Sequence, residues 1–210
     1  MLLKLISEKM LKVTMKFIKI LCFIYSFFLF AIPFSYAEEI ERKRYKNWEV
    51  SKLDDLIMYR TNGNIVHGHS FGWIKRVGQC NYDNLYLTYS SVHEDKDILE
   101  QLKNNKVPLK LVFPESDSSP IKIHPPIISV NDFGSMKIIT LSNLQQNNEL
   151  NAYMEELHSV EIAITSPYAK LFDIPKDSWS LDGYIAAKLK AKELCESETA
   201  KRNAIVAFNH

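Results

Sequence analysis

Cysteine is scarce in this chain, three in 210 residues, and no two of them form a Cys-x-x-Cys pair. A redox dithiol and a zinc knuckle of the usual spacing are therefore excluded. The six glycines build no phosphate-cradling loop, and neither Gly-x-Ser-x-Gly nor His-Glu-x-x-His occurs. The common nucleotide-binding, serine-nucleophile and zinc-peptidase signatures are thus missing. No charge of one sign dominates either: 26 basic residues face 25 acidic ones. Such a balance offers nucleic acid no electrostatic footprint. The one basic cluster, Glu41-Arg42-Lys43-Arg44, reads as part of a solvated, flexible lead-in spanning residues 38–46. Internal repeats and low-complexity linkers are absent as well.

What the chain does have begins at its N-terminus. Lys16 and Lys19 form a basic region after Met15, Ile20 to Phe34 is almost unbroken apolar sequence, and Ser35-Tyr36-Ala37 follows. Basic, apolar and small-residue regions in that order are the layout of a secretory signal peptide, here residues 1–37. The residues before Met15 are either an extended basic region or a mis-assigned start. An uncleaved anchor is the competing reading, but the apolar run is shorter than the ~20 residues a spanning helix needs. Removing residues 1–37 takes away Lys4, Lys9, Lys12, Lys16, Lys19 and Glu8, so the charged residues become 21 basic and 24 acidic, a net −3. Glu38 to His210 remains, enough for one domain with its own core. Cys22 leaves with the signal. Cys80 and Cys195 are then an even pair in an oxidising compartment, which reads as one disulfide. No cysteine stands at the signal junction, so lipid anchoring there has no support.

The mature chain is dominated by period-two alternation. Leu85, Leu87 and Tyr89 point one way, and Tyr86, Thr88 and Ser90 the other, as in a half-buried strand. Similar patterns predict strands at Asn47–Leu53, with Trp48 and Val50 inward, and at Leu56–Arg60, Asn64–His69, Trp73–Val77, Val107–Phe113, Met136–Leu141 and Val160–Thr165. Asn62-Gly63 predicts a tight type I′ hairpin turn. Pro125-Pro126 makes Pro120–Ile128 an edge strand or a crossing segment. Helices are predicted at Asp95–Lys103, in the second half of Leu144–His158, and from a Ser180 N-cap to about Glu196. The last helix carries an apolar stripe at Leu181, Ile185 and Leu189. Residues 199–210, with Ala204-Ile205-Val206-Ala207-Phe208, could extend that helix, add an edge strand or stay loose, and periodicity does not decide among them. The expectation is a mainly β fold in one domain, residues 47–198, with a β-sandwich or barrel-like antiparallel core and a few helices, including a C-terminal one.

Candidate chemistry is thin. His67 and His69 would share one face of a strand, and both imidazoles could reach one metal with His93 or Asp83 as a third ligand. Two His without a fixed third ligand fall short of a zinc pattern, and two polar residues on an exposed strand face are the favoured reading. Cys80 as a nucleophile competes with the disulfide and loses in an exported chain. Tyr82, Tyr86, Tyr89 and Trp73 suggest either an aromatic groove or ordinary core packing. No catalytic residue and no cofactor is assigned.

Two short motifs carry a resemblance. Ser180-Leu181-Asp182-Gly183-Tyr184-Ile185-Ala186-Ala187 resembles the closing segment of the invasion-associated locus B family of exported bacterial proteins, and Trp48-Glu49-Val50 resembles its opening strand. Ser51 and Lys52 follow here, where that family usually has a cysteine. The resemblance implies a non-enzymatic periplasmic or envelope protein, associated with host interaction in some bacteria. The functional expectation is a binding or accessory role toward an unknown protein or envelope ligand, with membrane contact only through the signal segment before cleavage. The alternatives are a small metal-dependent or hydrolytic enzyme using His67 and His69, or a subunit of an envelope complex.

Overall fold

Two antiparallel sheets form the framework of the computed structural model, which describes residues 42–66, 68–92, 103–134, 136–143 and 148–208. The larger sheet holds β1 (Arg42–Tyr45), β2 (Trp48–Leu53), β3 (Leu56–Asn62), β4 (Ser70–Arg76), β5 (Gln79–Ser91), β8 (Ile127–Phe133) and β9 (Met136–Asn143), in the order β1-β2-β3-β4-β5-β9-β8. The smaller sheet is β11-β10-β6-β7, built from β6 (Leu109–Val112), β7 (Ile121–Ile123), β10 (Ser159–Ile164) and β11 (Lys176–Ser180). Helix α1 spans Asn148–Glu156 and helix α2 spans Tyr184–Phe208.

Register explains the core. Val50 pairs with Tyr59, Tyr59 with Trp73, Trp73 with Leu85, and Leu87 with Leu141. Side chains directly opposite one another share a face, so one face of the large sheet is a continuous apolar and aromatic surface, all of it buried. The small sheet lies against part of that face. Trp179 of β11 meets Phe71 at 5.9 Å and Tyr89 at 6.2 Å between ring centroids, and the Tyr89 hydroxyl donates to the Ile162 carbonyl at 3.1 Å. The result is a β-sandwich-like core, as the alternation predicts. Helix α2 covers more of the same face, where Tyr184 packs on Trp48 at 5.0 Å and on Tyr59 at 6.2 Å. Cys80 and Cys195 are bonded, with Cα atoms 5.6 Å apart across 115 positions of sequence. The bond ties α2 to the start of β5.

Both proline-marked segments are edges: β7 ends the small sheet and β8 ends the large one. A proline cannot donate to a ladder, so Pro125-Pro126 falls between them. Other expectations are corrected. The basic cluster is no flexible lead-in, because Arg42–Tyr45 pairs with Trp48–Ser51 as β1. Ser180 does not cap a helix. It ends β11, a strand the sequence reading missed, opposite Ser159. The stripe on α2 is also different. Ile185 and Leu189 are 50% and 64% exposed, and Tyr184, Ala187, Ala191 and Cys195 form the buried face. Small side chains let the helix axis approach the sheet closely, whereas Leu and Ile on that face would hold it off. The helix runs to Phe208, which settles residues 199–208 as its extension, one of the three courses the sequence left open. Good helix formers and the pairs Lys190–Glu193, Lys192–Glu196 and Glu198–Lys201 support it. The helix expected at Asp95–Lys103 lies almost wholly outside the described residues.

Candidate functional site

The loop between β3 and β4 holds the most concentrated polar chemistry. A two-residue turn is predicted at Asn62-Gly63, but the connection runs from Gly63 to His69. Two groups draw it over the edge of the small sheet. The Asn64 amide donates to the Ser178 carbonyl at 2.9 Å, and the loop closes on Asp177 of β11. The Asp177 carboxylate accepts from the Ile65 amide at 2.9 Å, the Val66 amide at 3.1 Å and the Ser178 amide at 2.7 Å, and takes His69 Nδ1 at 2.9 Å. Gly63 permits this approach. A Cβ built there would stand 2.3 Å from Asp177 Oδ2, so glycine serves a close contact and not a type I′ turn.

His69 and Asp177 are both 0% exposed. Burial pushes the His69 imidazole below its usual value, opposed by the Asp177 charge and hydrogen bond and, more weakly, by the Ser90 backbone. The ring is therefore read as neutral, with Nδ1–H donating to Asp177. Its Nε2 is buried without a hydrogen bond. Asp177 fixes one tautomer, as carboxylates do in catalytic dyads. Here, however, no face of the pair reaches solvent, and a general base must come within hydrogen-bond reach of its substrate. The arrangement clamps the loop onto both sheets.

The strand expected at Asn64–His69, on which the paired-imidazole reading rested, is absent from the described residues of that span. His69 precedes β4 instead of sitting on a strand, and Gly68 between the two histidines has φ of +100°. Strand periodicity therefore does not place His67 and His69 on one face. His67 itself, and His93, lie outside the described residues. Asp83, the other suggested ligand, is elsewhere and buried. It lies on the inner face near the start of β5, with Lys75 Nζ 2.8 Å from its Oδ1. That separation is ion-pair distance without the angle of a hydrogen bond at Oδ1. Lys75 also donates to the Cys80 carbonyl at 2.9 Å. No cluster of three or more potential metal ligands occurs among the described residues.

Beside this ion pair stand the Tyr59 and Tyr184 hydroxyls. Burial first, then their charged and polar neighbours including Asp83, push both phenols well above their ordinary value. They stay protonated, and the cluster underlies α2. Nearby, Thr199 Oγ1 donates to the Cys195 carbonyl at 2.8 Å, accepts from the Gly78 amide at 2.8 Å and lies 3.4 Å from Cys80 Sγ. The β4–β5 turn, the disulfide and α2 are thus joined at one point. Of the aromatic residues proposed for a groove, Trp73 and Tyr89 are core and Tyr82 is 65% exposed. They do not line one surface.

Asp177 and Lys75 were missed by sequence reasoning. A signal existed: Lys-Asp-Ser-Trp-Ser at 176–180 alternates around Trp179, and inward parity for Trp179 implies inward parity for Asp177. No protein-family model, curated protein or solved structure matches the chain.

Proposed function

We propose that this chain is an exported envelope protein with a non-enzymatic binding or accessory role, of the kind the invasion-associated locus B resemblance implies. The observation that carries this reading is the meeting of the two resembling motifs. Trp48 Nε1 donates to the Ser180 carbonyl at 2.9 Å, the Asn47 side chain donates to Ser180 Oγ at 2.8 Å, and Trp48 stacks edge-on against Tyr184. Gly183 is required at the junction, because a Cβ there would stand 2.0 Å from the Tyr45 carbonyl oxygen. Two segments more than 130 positions apart thus form one joint.

Export is supported by the succession of basic, apolar and small-residue sequence over residues 16–37 and by the bond between Cys80 and a fully buried Cys195, which is compatible with an oxidising location. A binding role in place of catalysis is supported by the burial of the His69–Asp177 and Lys75–Asp83 clusters, neither of which opens to solvent. The host-interaction association comes only through the family resemblance.

Intact-mass measurement on protein recovered from the periplasm tests export; a chain beginning at Glu38 is expected, and a species retaining Phe17 to Phe34 would overturn cleavage. The binding role is tested by cross-linking and affinity capture from native envelope, with a stoichiometric partner expected. Zinc-dependent or hydrolytic turnover abolished by His69→Ala without loss of the fold would overturn it in favour of an enzyme.

A further inference from the structure

The last turns of α2 stand clear of the domain, and their composition is unlike the rest of the helix. Residues 200–208 are all exposed. They close with Ala204-Ile205-Val206-Ala207-Phe208, in which Ile205, Val206 and Phe208 are 63%, 53% and 90% exposed. Helical residues advance about 100° each, so five in a row cover the whole circumference. A helix that lies in a protein groove shows an apolar stripe on one side. An apolar tip on all sides suits a medium that surrounds it, which is lipid. Five residues at 1.5 Å each extend about 7 Å, matching the roughly 5–10 Å by which interfacial helices enter the headgroup and acyl boundary. No described helix is long and apolar enough to cross a membrane, so the contact would be peripheral.

Charge at the same end agrees. Lys201 and Arg202 lie just before the apolar tip. Arg42 sits opposite Ser51 in the register of β1 with β2, and the next residue of β2, Lys52, reaches Glu198 of α2 at 2.6 Å. Arg42 and the α2 overhang therefore share one end of the large sheet. Among the described residues neither Arg42 nor Arg202 forms an ion pair, while Lys201 is held by Glu198 at 2.6 Å. Acidic groups at this end include Asp54 and Asp55, the latter 4.0 Å from Arg76. Leu53 and Tyr82, 48% and 65% exposed, add apolar and amphipathic surface near the same rim.

We propose that the α2 tip docks this domain on an anionic bilayer surface, with residues 204–208 in the acyl boundary and Arg42, Lys201 and Arg202 at the headgroups. This departs from the expectation that membrane contact is confined to the N-terminal segment.

The test is vesicle co-sedimentation of the exported protein, its N-terminus checked by intact mass. Vesicles of phosphatidylcholine mixed with phosphatidylglycerol are compared with phosphatidylcholine alone. The wild type is expected on mixed vesicles. The triple variant Ile205→Ser, Val206→Ser, Phe208→Ser, with an unchanged melting temperature because these side chains are exposed, should partition about tenfold less or weaker still. The double variant Arg42→Gln, Arg202→Gln should lose mainly the preference for the anionic lipid, as should wild type in high salt. Only protein whose mass shows cleavage after Ala37 is compared, because a retained apolar leader would itself bind vesicles; a retained leader thus bears on export and not on the α2 tip. Failure of the wild type to bind, or undiminished binding by the triple variant, overturns the proposal. So does a lipid-free dimer that the triple variant dissolves, which would assign the tip to a second copy of the chain.

Discussion

Replacing Asp177 by alanine should cost this domain about 3–5 kcal/mol, because its hydrogen bonds to a charged acceptor are lost and buried donors, at roughly 1–3 kcal/mol each, are left unsatisfied. The carboxylate takes four donors, from Ile65, Val66, Ser178 and His69, at 2.7–3.1 Å. Hydrogen bonds to a charged group contribute roughly 1.5–3 kcal/mol each, and four at face value would exceed the whole stability of many domains. The sum overstates the loss, because the four share one acceptor and the loop can swing toward water once released. The Ser178 amide and His69 cannot follow it, being held by β11 and by the core. Leaving those two unsatisfied sets the lower figure. At about 2–4 °C per kcal/mol for a domain of this size, the melting temperature should fall by about 6–20 °C. Asp177→Asn, which keeps one acceptor oxygen, should lose less. Thermal and urea unfolding give the magnitude, and amide hydrogen exchange gives the place: protection at Ile65 and Val66 should disappear before that of β5. Gly63→Ala should reproduce the local effect from the other side, since its Cβ needs the space Asp177 Oδ2 occupies. A loss under about 1 kcal/mol for Asp177→Ala, below the cost of leaving a single buried donor unsatisfied, with protection at Ile65 and Val66 intact, would refute the clamp.

His69 titrates below its ordinary value when folded, so the unfolded state takes up its proton first as pH falls. The stability His69 contributes is present above about pH 6.5, the unfolded value, and declines below it until the lower folded value is reached. Unfolding free energies of wild type and His69→Gln between pH 7 and 5 should show a shallower acid slope in the variant; equal slopes would exclude His69 as the source. Reduction of the Cys80–Cys195 bond, which closes a loop of 115 positions, should release up to about 4–5 kcal/mol by the chain-entropy account. Helix α2 should lose exchange protection first, whereas peptide mapping that finds both thiols free in the exported protein would remove the premise. Metal chelation should leave the melting temperature unchanged; a fall reversed by zinc would restore a metal role for His67, which lies outside the described residues.

The parts of this fold legible in the sequence are those where local chemistry and burial agree. In β10 the alternation of Val160, Ile162 and Ile164 is also the alternation of burial, and in β5 it holds from Asp83 to Leu87, beyond which Thr88 and Ser90 on the other face are buried too. An apolar residue at every second position leaves one pleated face with only one place to go. With Cys22 assigned to the expected signal segment, Cys80 and Cys195 allowed one intramolecular pairing, so the disulfide followed from counting. The proline pair marked a crossing because a missing donor cannot be repaired by any neighbour. What only the tertiary structure decided depends on distances between remote segments. Ala187 and Ala191 became the buried face of α2 because the disulfide and Tyr184 bring the helix close to the sheet; Ile185 and Leu189 point to solvent despite greater hydrophobicity. Strand β11 has one large apolar residue, and its inward Asp177 reads as polar surface until the amides of Ile65 and Val66 arrive from more than 110 positions away. Asn62-Gly63 looked like a tight turn for the same reason: a glycine's spacing from its neighbours is local, but the carboxylate that needs its missing side chain is not.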